Sequence, residues 1–159
     1  MAHEVERKFL VRSDTWRSGG EGQPYRQGYL LNSEFRTVRV RLSDRSAWLT
    51  IKGARVGVTR PEFEYSIPVG DAEDMLATLC DGSLVEKTRY RVPLGAHVWE
   101  VDEFHADNAG LVLAEIELRH EAETFERPEW LGQEVSDDPR YYSGRLSREP
   151  FSSWRERST

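Results

Sequence analysis

Polar and apolar residues alternate along most of the chain, and charged side chains recur two positions apart in short segments. The first is Glu4-Val5-Glu6-Arg7-Lys8. It is followed by Arg39-Val40-Arg41, Thr50-Ile51-Lys52, Glu62-Phe63-Glu64, Lys87-Thr88-Arg89-Tyr90-Arg91, Glu100-Val101-Asp102 and Glu115-Ile116-Glu117. Residues two apart on a β-strand share a face, so each segment collects its charges on one side. The opposite sides are apolar: Val38, Val40 and Leu42; Leu49 and Ile51; Phe63, Tyr65 and Ile67; Ala114, Ile116 and Leu118. The alternation predicts eight strands, over 3–11, 25–31, 35–42, 47–52, 60–67, 85–92, 97–104 and 111–118.

Four stretches break the period of two. Residues 14–17 predict a helical turn with Trp16 facing inward. Residues 71–79 predict a helix capped by Asp71, with Met75, Leu76 and Leu79 at helical spacing and Asp81-Gly82 as its stop. Residues 121–131 and 141–147 predict two more short helices, the first with Phe125, Trp130 and Leu131 as its apolar contacts. The fold class is α+β, mainly β: an eight-stranded antiparallel closed β-barrel with a few short peripheral helices. It forms one domain over 1–150, followed by a polar tail over 151–159 that includes Trp154. Charges inside such a barrel and hydrophobes outside reverse the usual arrangement, which points to a lumen built for a ligand. The apolar outer faces then need cover, from helices or from a second copy in a homodimer.

Composition narrows the ligand. Hydrophobic residues make up only 38% and charged residues 31%; an ordinary core would leave most of those charges outside, and it is the alternation that places some of them in the interior. The net charge of −6 argues against broad attraction to nucleic acid, although basic strands can still form a local positive wall. Cys80 is the only cysteine, which excludes an intrachain disulfide and a cysteine-based zinc site. No apolar run is long enough for a membrane span and no signal peptide opens the chain. The expectation is a cytoplasmic protein with neither membrane nor nucleic-acid partner.

The inward set contains Glu4, Glu6, Glu62, Glu64, Glu100, Asp102, Glu115 and Glu117 against Lys8, Arg39, Arg41, Lys52, Lys87, Arg89 and Arg91. Their charges nearly cancel, so the lumen is no simple anion trap. Burying so many ions costs several kcal/mol each unless they are paired, solvated or bound to ligand. A polyphosphate entering with a divalent cation would leave the balance almost unchanged. Several carboxylate oxygens suit Mg²⁺ or Mn²⁺, arginine offers phosphate a bidentate fork, and lysine a compact charge.

In order and spacing these motifs resemble the triphosphate tunnel metalloenzymes, the CYTH superfamily, whose opening Glu-x-Glu-x-Lys stands here as Glu4, Glu6 and Lys8. Gln27-Gly28-Tyr29-Leu30, the alternating segments above, Glu86-Lys87-Thr88-Arg89-Tyr90 and the stretch 133–142 complete a match over about residues 3–147. The pattern departs near its end, where many relatives carry asparagine and lysine in place of Ser143 and Arg145. The resemblance implies an eight-stranded tunnel that binds a triphosphate through Lys8, Arg39, Arg41, Lys52, Lys87, Arg89 and Arg91. It implies Mg²⁺ or Mn²⁺ on Glu4, Glu6, Glu115 and Glu117, with Glu62, Glu64 and Asp102 as further ligands. Lys8, Glu6 and Lys52 are the expected catalytic residues. The favoured reaction is metal-dependent hydrolysis of inorganic tripolyphosphate to pyrophosphate and phosphate. The alternatives are an organic triphosphate enzyme (thiamine triphosphatase, nucleoside triphosphatase or class IV-type adenylate cyclase) and a non-catalytic polyphosphate- or nucleotide-binding module.

Overall fold

A computed structural model describes residues 2–154. Nine strands form one antiparallel sheet: β1 (His3–Val11), β2 (Gln23–Asn32), β3 (Arg36–Leu42), β4 (Ala47–Gly53), β5 (Thr59–Ile67), β6 (Asp81–Leu94), β7 (His97–Phe104), β8 (Val112–Leu118) and β9 (Leu131–Glu134). They lie in the order β5-β4-β3-β2-β6-β7-β8-β1-β9, and β5 also pairs with β1. That last pairing closes an eight-stranded barrel, as the alternation predicts. β1 is shared at the seam: His3, Glu4 and Val5 pair with β5, while Phe9 and Val11 pair with the additional strand β9.

Two short helices accompany the barrel, α1 (Val69–Thr78) and α2 (Ser143–Arg148). α1 begins two residues earlier than expected, with extended Pro68 as its cap, and Asp71 sits in the first turn without capping it. There its carboxylate still meets the positive end of the helix dipole. α1 ends at Thr78, and Asp81 and Gly82, expected as its stop, instead begin β6; Gly82 takes the left-handed turn. Its φ of 73° bends the chain where an added Cβ would lie 2.8 Å from the Ser147 carbonyl oxygen. The turn over Thr15–Gly19 is a 3₁₀ helix that buries Trp16, as expected.

The helix expected over 121–131 does not form. The carboxylates of this stretch bond to backbone instead: Glu121 accepts from the Val58 amide and Glu123 from the Arg119 amide. Phe125 and Trp130 pack edge-on against Trp99, at centroid separations of 5.7 Å each, so the connector lies as irregular chain over β1, β7 and β8. Pro128 further opposes a helix there. Residues 131–134 then extend as β9.

Apolar packing lies outside the charged lumen. One cluster joins Phe9, Trp99, Val101 and Ile116 to Trp16 and Trp130, and a second lays Ala72 and Leu76 of α1 over Val40 and Ala47. Cys80 packs beside that helix. A third, containing Val85, Phe104, Leu113, Tyr141 and Leu146, joins the C-terminal segment to one end of the barrel, and Phe151 and Trp154 pack on it. Residues 155–159 of the expected tail lie outside the described residues. Helices thus cover only part of the outer wall. Ile51, Phe63 and Tyr65 are 38%, 38% and 56% exposed.

Candidate active site

Register brings the alternating charges together. Directly opposed residues of an antiparallel pair share a face. Lys8 lies opposite Glu115 and Glu6 opposite Glu117. Arg89 faces Asp102 and Arg91 faces Glu100; Arg39, Thr50 and Glu64 align, as do Lys52 and Glu62. The result is a cavity of about 900 Å³ lined by every basic residue of the predicted set and by Glu4, Glu6, Glu62, Glu64, Glu100, Glu115 and Glu117. Asp102 does not line it. Fully buried, it accepts from Lys87 Nζ at 2.7 Å and from Arg89 Nε and Nη2 at 2.7 and 2.9 Å, so it stands behind the two cations and aims them.

Most of the cations hold a carboxylate. Lys8 Nζ is 2.8 Å from Glu115, and Lys52 Nζ is 3.0 Å from Glu4 and 3.4 Å from Glu62. Arg89 also reaches Glu100 at 3.1 Å and Glu115 at 3.2 Å. Arg39 donates to Thr50 Oγ1 at 3.2 Å and approaches Glu64 to 3.8 Å. Arg91 pairs with Glu100 at 2.7 Å, but its side chain is 60% exposed, which puts it at the rim. Arg41 makes no ion pair among the described residues. Its Nε donates to Gln27 Oε1 at 2.9 Å and its guanidinium lies 4.8 Å over the Tyr25 ring.

These surroundings set the protonation states. Burial pushes Glu6 up to about 8, helped by the negative charges of Glu115 and Glu4. Burial also raises Glu117 and Glu62, each with Glu4 as a repelling neighbour. Against burial, Lys52 holds Glu4 low, and Lys8 and Arg89 hold Glu115 well below the usual carboxylate range. Burial drives Lys87 down to about 7, with Arg89 and Arg41 adding repulsion against the attraction of Asp102. Burial likewise lowers Arg41 to about 9, reinforced by Arg39 and Arg89.

The donor set fits a hard divalent cation. Glu6 and Glu117 lie opposite one another, and neither carboxylate makes an ion pair or hydrogen bond among the described residues. A cation between them would offset the burial and the negative charge of Glu4 that raise both. No group of three metal-ligating side chains is already gathered among the described residues. Magnesium does not require one, because it usually takes one or two protein carboxylates and completes its shell with water and phosphate oxygens.

The sequence pattern left several lining residues unmarked. Arg60 continues the inward face of Glu62 and Glu64 at the same spacing of two, so its signal was present in the chain. Arg55 stands in the β4–β5 turn, where no period applies; it donates to the Ser136 carbonyl and stacks 4.7 Å over Tyr142. Tyr25 and Trp48 line the cavity edge-to-face at 6.4 Å. Arg145 and Arg148 of α2 also face the cavity, and the Asn32 side chain ties that helix to the β2–β3 turn through the Gly144 carbonyl.

Comparison with known proteins agrees with this arrangement. The model of the CYTH domain matches residues 2–142. An inorganic triphosphatase of Acetivibrio thermocellus is 44% identical over 156 residues, covering 98% of this chain and 100% of that protein. An inorganic triphosphatase of Nitrosomonas europaea is 37% identical over 150 residues, covering 91% and 96%. The crystal structure of the inorganic triphosphatase NE1496 superposes with a TM-score of 0.64 at 35% identity, covering 92% of this chain and 95% of that one.

Proposed function

The chain belongs to the CYTH domain family, and from that premise we propose that it hydrolyses inorganic triphosphate to pyrophosphate and phosphate with the help of Mg²⁺ or Mn²⁺. The observation that carries the reading is the pairing of the lumen: nearly every cation is neutralised by a carboxylate that could itself hold a metal. Triphosphate entering with a divalent cation exchanges partners on both sides. Lys8, Lys52, Arg39, Arg89 and Lys87 turn to phosphate oxygens, and Arg41, which has no carboxylate to leave, offers its charge directly. Glu4, Glu6, Glu115 and Glu117 are the residues that would hold the metal, with Glu62 and Glu64 beside them. When bound, the metal supplies charge neutralisation on the phosphate oxygens and lowers the pKa of a coordinated water.

The protein's share of the chemistry is position and field. Phosphoryl transfer passes through a state with charge spread over the transferred group, so fixed cations at the leaving oxygen are worth most. Water attacks the terminal phosphorus in line, the P–O–P bond breaks and pyrophosphate leaves. Lys8 and Lys52 are the residues we assign to the charge that builds on the bridging oxygen. Asp102 keeps Lys87 and Arg89 aimed inward throughout. A single cysteine and charged surfaces suit a cytoplasmic setting; among the described residues, no helix is long and apolar enough to cross a membrane.

The test is phosphate release from tripolyphosphate, ATP and thiamine triphosphate, each with Mg²⁺, with Mn²⁺ and with chelator. The expected result is metal-dependent release, fastest from tripolyphosphate. Faster release from ATP or thiamine triphosphate would replace the substrate, and tight binding without turnover would replace hydrolysis.

A further inference from the structure

Gln27 carries no charge and does not line the cavity, yet its side chain is fully buried between the charged strands. Its position opposite Arg41 on β3 and Val85 on β6 places it against the wall of the site. Gln27 Oε1 accepts from Arg41 Nε at 2.9 Å, whereas Gln27 Nε2 is buried without a partner. Leaving a buried amide donor unsatisfied is unfavourable. A residue that served packing alone would be better replaced by an apolar side chain of the same length.

Arg41 explains why an amide stands there. It lines the cavity without a carboxylate partner, flanked by the like charges of Arg39 and Arg89. A guanidinium held only by its Nε keeps both Nη groups for an anion, in the fork that suits two phosphate oxygens. A glutamate at position 27 would hold the same Nε but would neutralise the charge and compete with phosphate. An apolar residue would leave the guanidinium held only by its stacking on Tyr25, free to rotate over that ring.

We propose that Gln27 is a positioning residue for the triphosphate site: its neutral amide oxygen fixes Arg41 through Nε and so presents an uncompensated, forked cation to a phosphate group. The inference rests on the triphosphate reading of the cavity and adds a residue that acts on substrate only through Arg41. It also assigns the unpartnered Nε2 a reason, since the acceptor must be neutral and the only neutral side chain of that reach brings an amide nitrogen with it.

The experiment measures calorimetric affinity of the full chain for inorganic tripolyphosphate without metal, then kcat and KM with Mg²⁺, and thermal stability. It uses wild type, Gln27→Met, Gln27→Glu, Arg41→Ala and the double variant Gln27→Met/Arg41→Ala. Gln27→Met should weaken binding about tenfold, the scale of one oriented hydrogen bond to a charged group. KM should rise with it, kcat should change by less than about twofold, and Tm should hold or rise. Gln27→Glu should weaken binding by about 100-fold, because phosphate must displace a charge-assisted partner. In the Arg41→Ala background the Gln27→Met effect should vanish. Unchanged affinity in Gln27→Met, a loss that persists beside Arg41→Ala, or a Tm that falls together with affinity and kcat would each overturn the proposal. Tripolyphosphate that binds wild type but is not hydrolysed would defeat the hydrolase reading alone, since the binding arm is scored without turnover.

Discussion

At the scale of single residues, the cavity separates cations that face the lumen from the carboxylate that aims two of them. Lys8 is held by Glu115 at 2.8 Å, and against the cost of burial Glu115 and Glu6 raise its pKa, so it stays charged. Glu115 retains Arg89 when Lys8 is removed, so the fold tolerates the loss of this one cation. Lys8→Ala should therefore leave the protein folded and lower kcat by about 10²–10³-fold, the usual scale for one group that stabilises developing charge. Steady-state rates with tripolyphosphate, beside a circular-dichroism melt, check both halves. Asp102 behaves differently. Removing its carboxylate leaves Lys87 and Arg89 buried beside one another with less counter-charge, so Asp102→Asn should lower Tm as well as affinity. An Asp102→Asn variant that kept its Tm would show that the pair does not depend on this counter-ion. The inward placement of Lys8 and Asp102 was legible in the chain, because charge there alternates with period two; the counter-ion position of Asp102, expected among the metal ligands, was not. Gln27 is neutral and Arg55 stands in a turn, and neither leaves a trace in such a pattern.

Among the elements, the strands carry their own signature and the connector between β8 and β9 does not. Its stability comes from aromatic edges laid on Trp99 and Phe9, contacts between residues far apart in sequence. Trp130 supplies the last of these edges, and its carbonyl accepts from the Arg12 amide. Trp130→Ala should cost about 3–5 kcal/mol, as deletion of a buried aromatic usually does. Urea unfolding measures the loss, and an unchanged KM for tripolyphosphate would place the effect in the wall rather than the lumen. The physical reason that sequence misjudged this region is now plain. Residues 121–131 have apolar residues at spacings that admit a helix, but their carboxylates find better partners in the backbone of neighbouring turns. β9 escaped for a related reason. It is four residues long, and its pairing with β1 depends on Gly132, where an added Cβ would sit 2.9 Å from the Leu10 carbonyl oxygen. Barrel closure itself was readable, because eight alternating segments with an inward charged face have few other ways to bury their edges.

For the whole molecule, the cavity stores an electrostatic imbalance that pH should expose. Glu6 is pushed up to about 8, and Glu62 and Glu117 are raised as well. A carboxyl with a raised folded-state pKa binds more protons in the folded chain than in the unfolded one. Its contribution to stability is therefore present below the unfolded value and is lost as pH rises through the folded value. Carboxylates held low, such as Glu115 and Asp102, lose their contribution only under more acidic conditions, and Lys87 titrates near 7. Between about pH 5 and pH 7 the raised group therefore sets the slope contributed by the lumen. Metal-free protein should melt at progressively lower temperature across that interval. Excess Mg²⁺ should restore more stability at pH 7 than at pH 5, because the ion must displace protons to reach these carboxylates. Glu6→Gln should flatten both trends by removing the carboxyl pushed up to about 8. Thermal melts of wild type and Glu6→Gln in chelator and in Mg²⁺ decide the matter. A wild-type melting temperature that climbs steadily from pH 5 to 7 in chelator, with no added benefit from Mg²⁺ at the higher pH, would show that burial and neighbouring charge do not hold these lumen carboxyls protonated. The opposite trend would tie stability and metal affinity to the same cluster, so that the lumen gains its full stability only when a cation is bound.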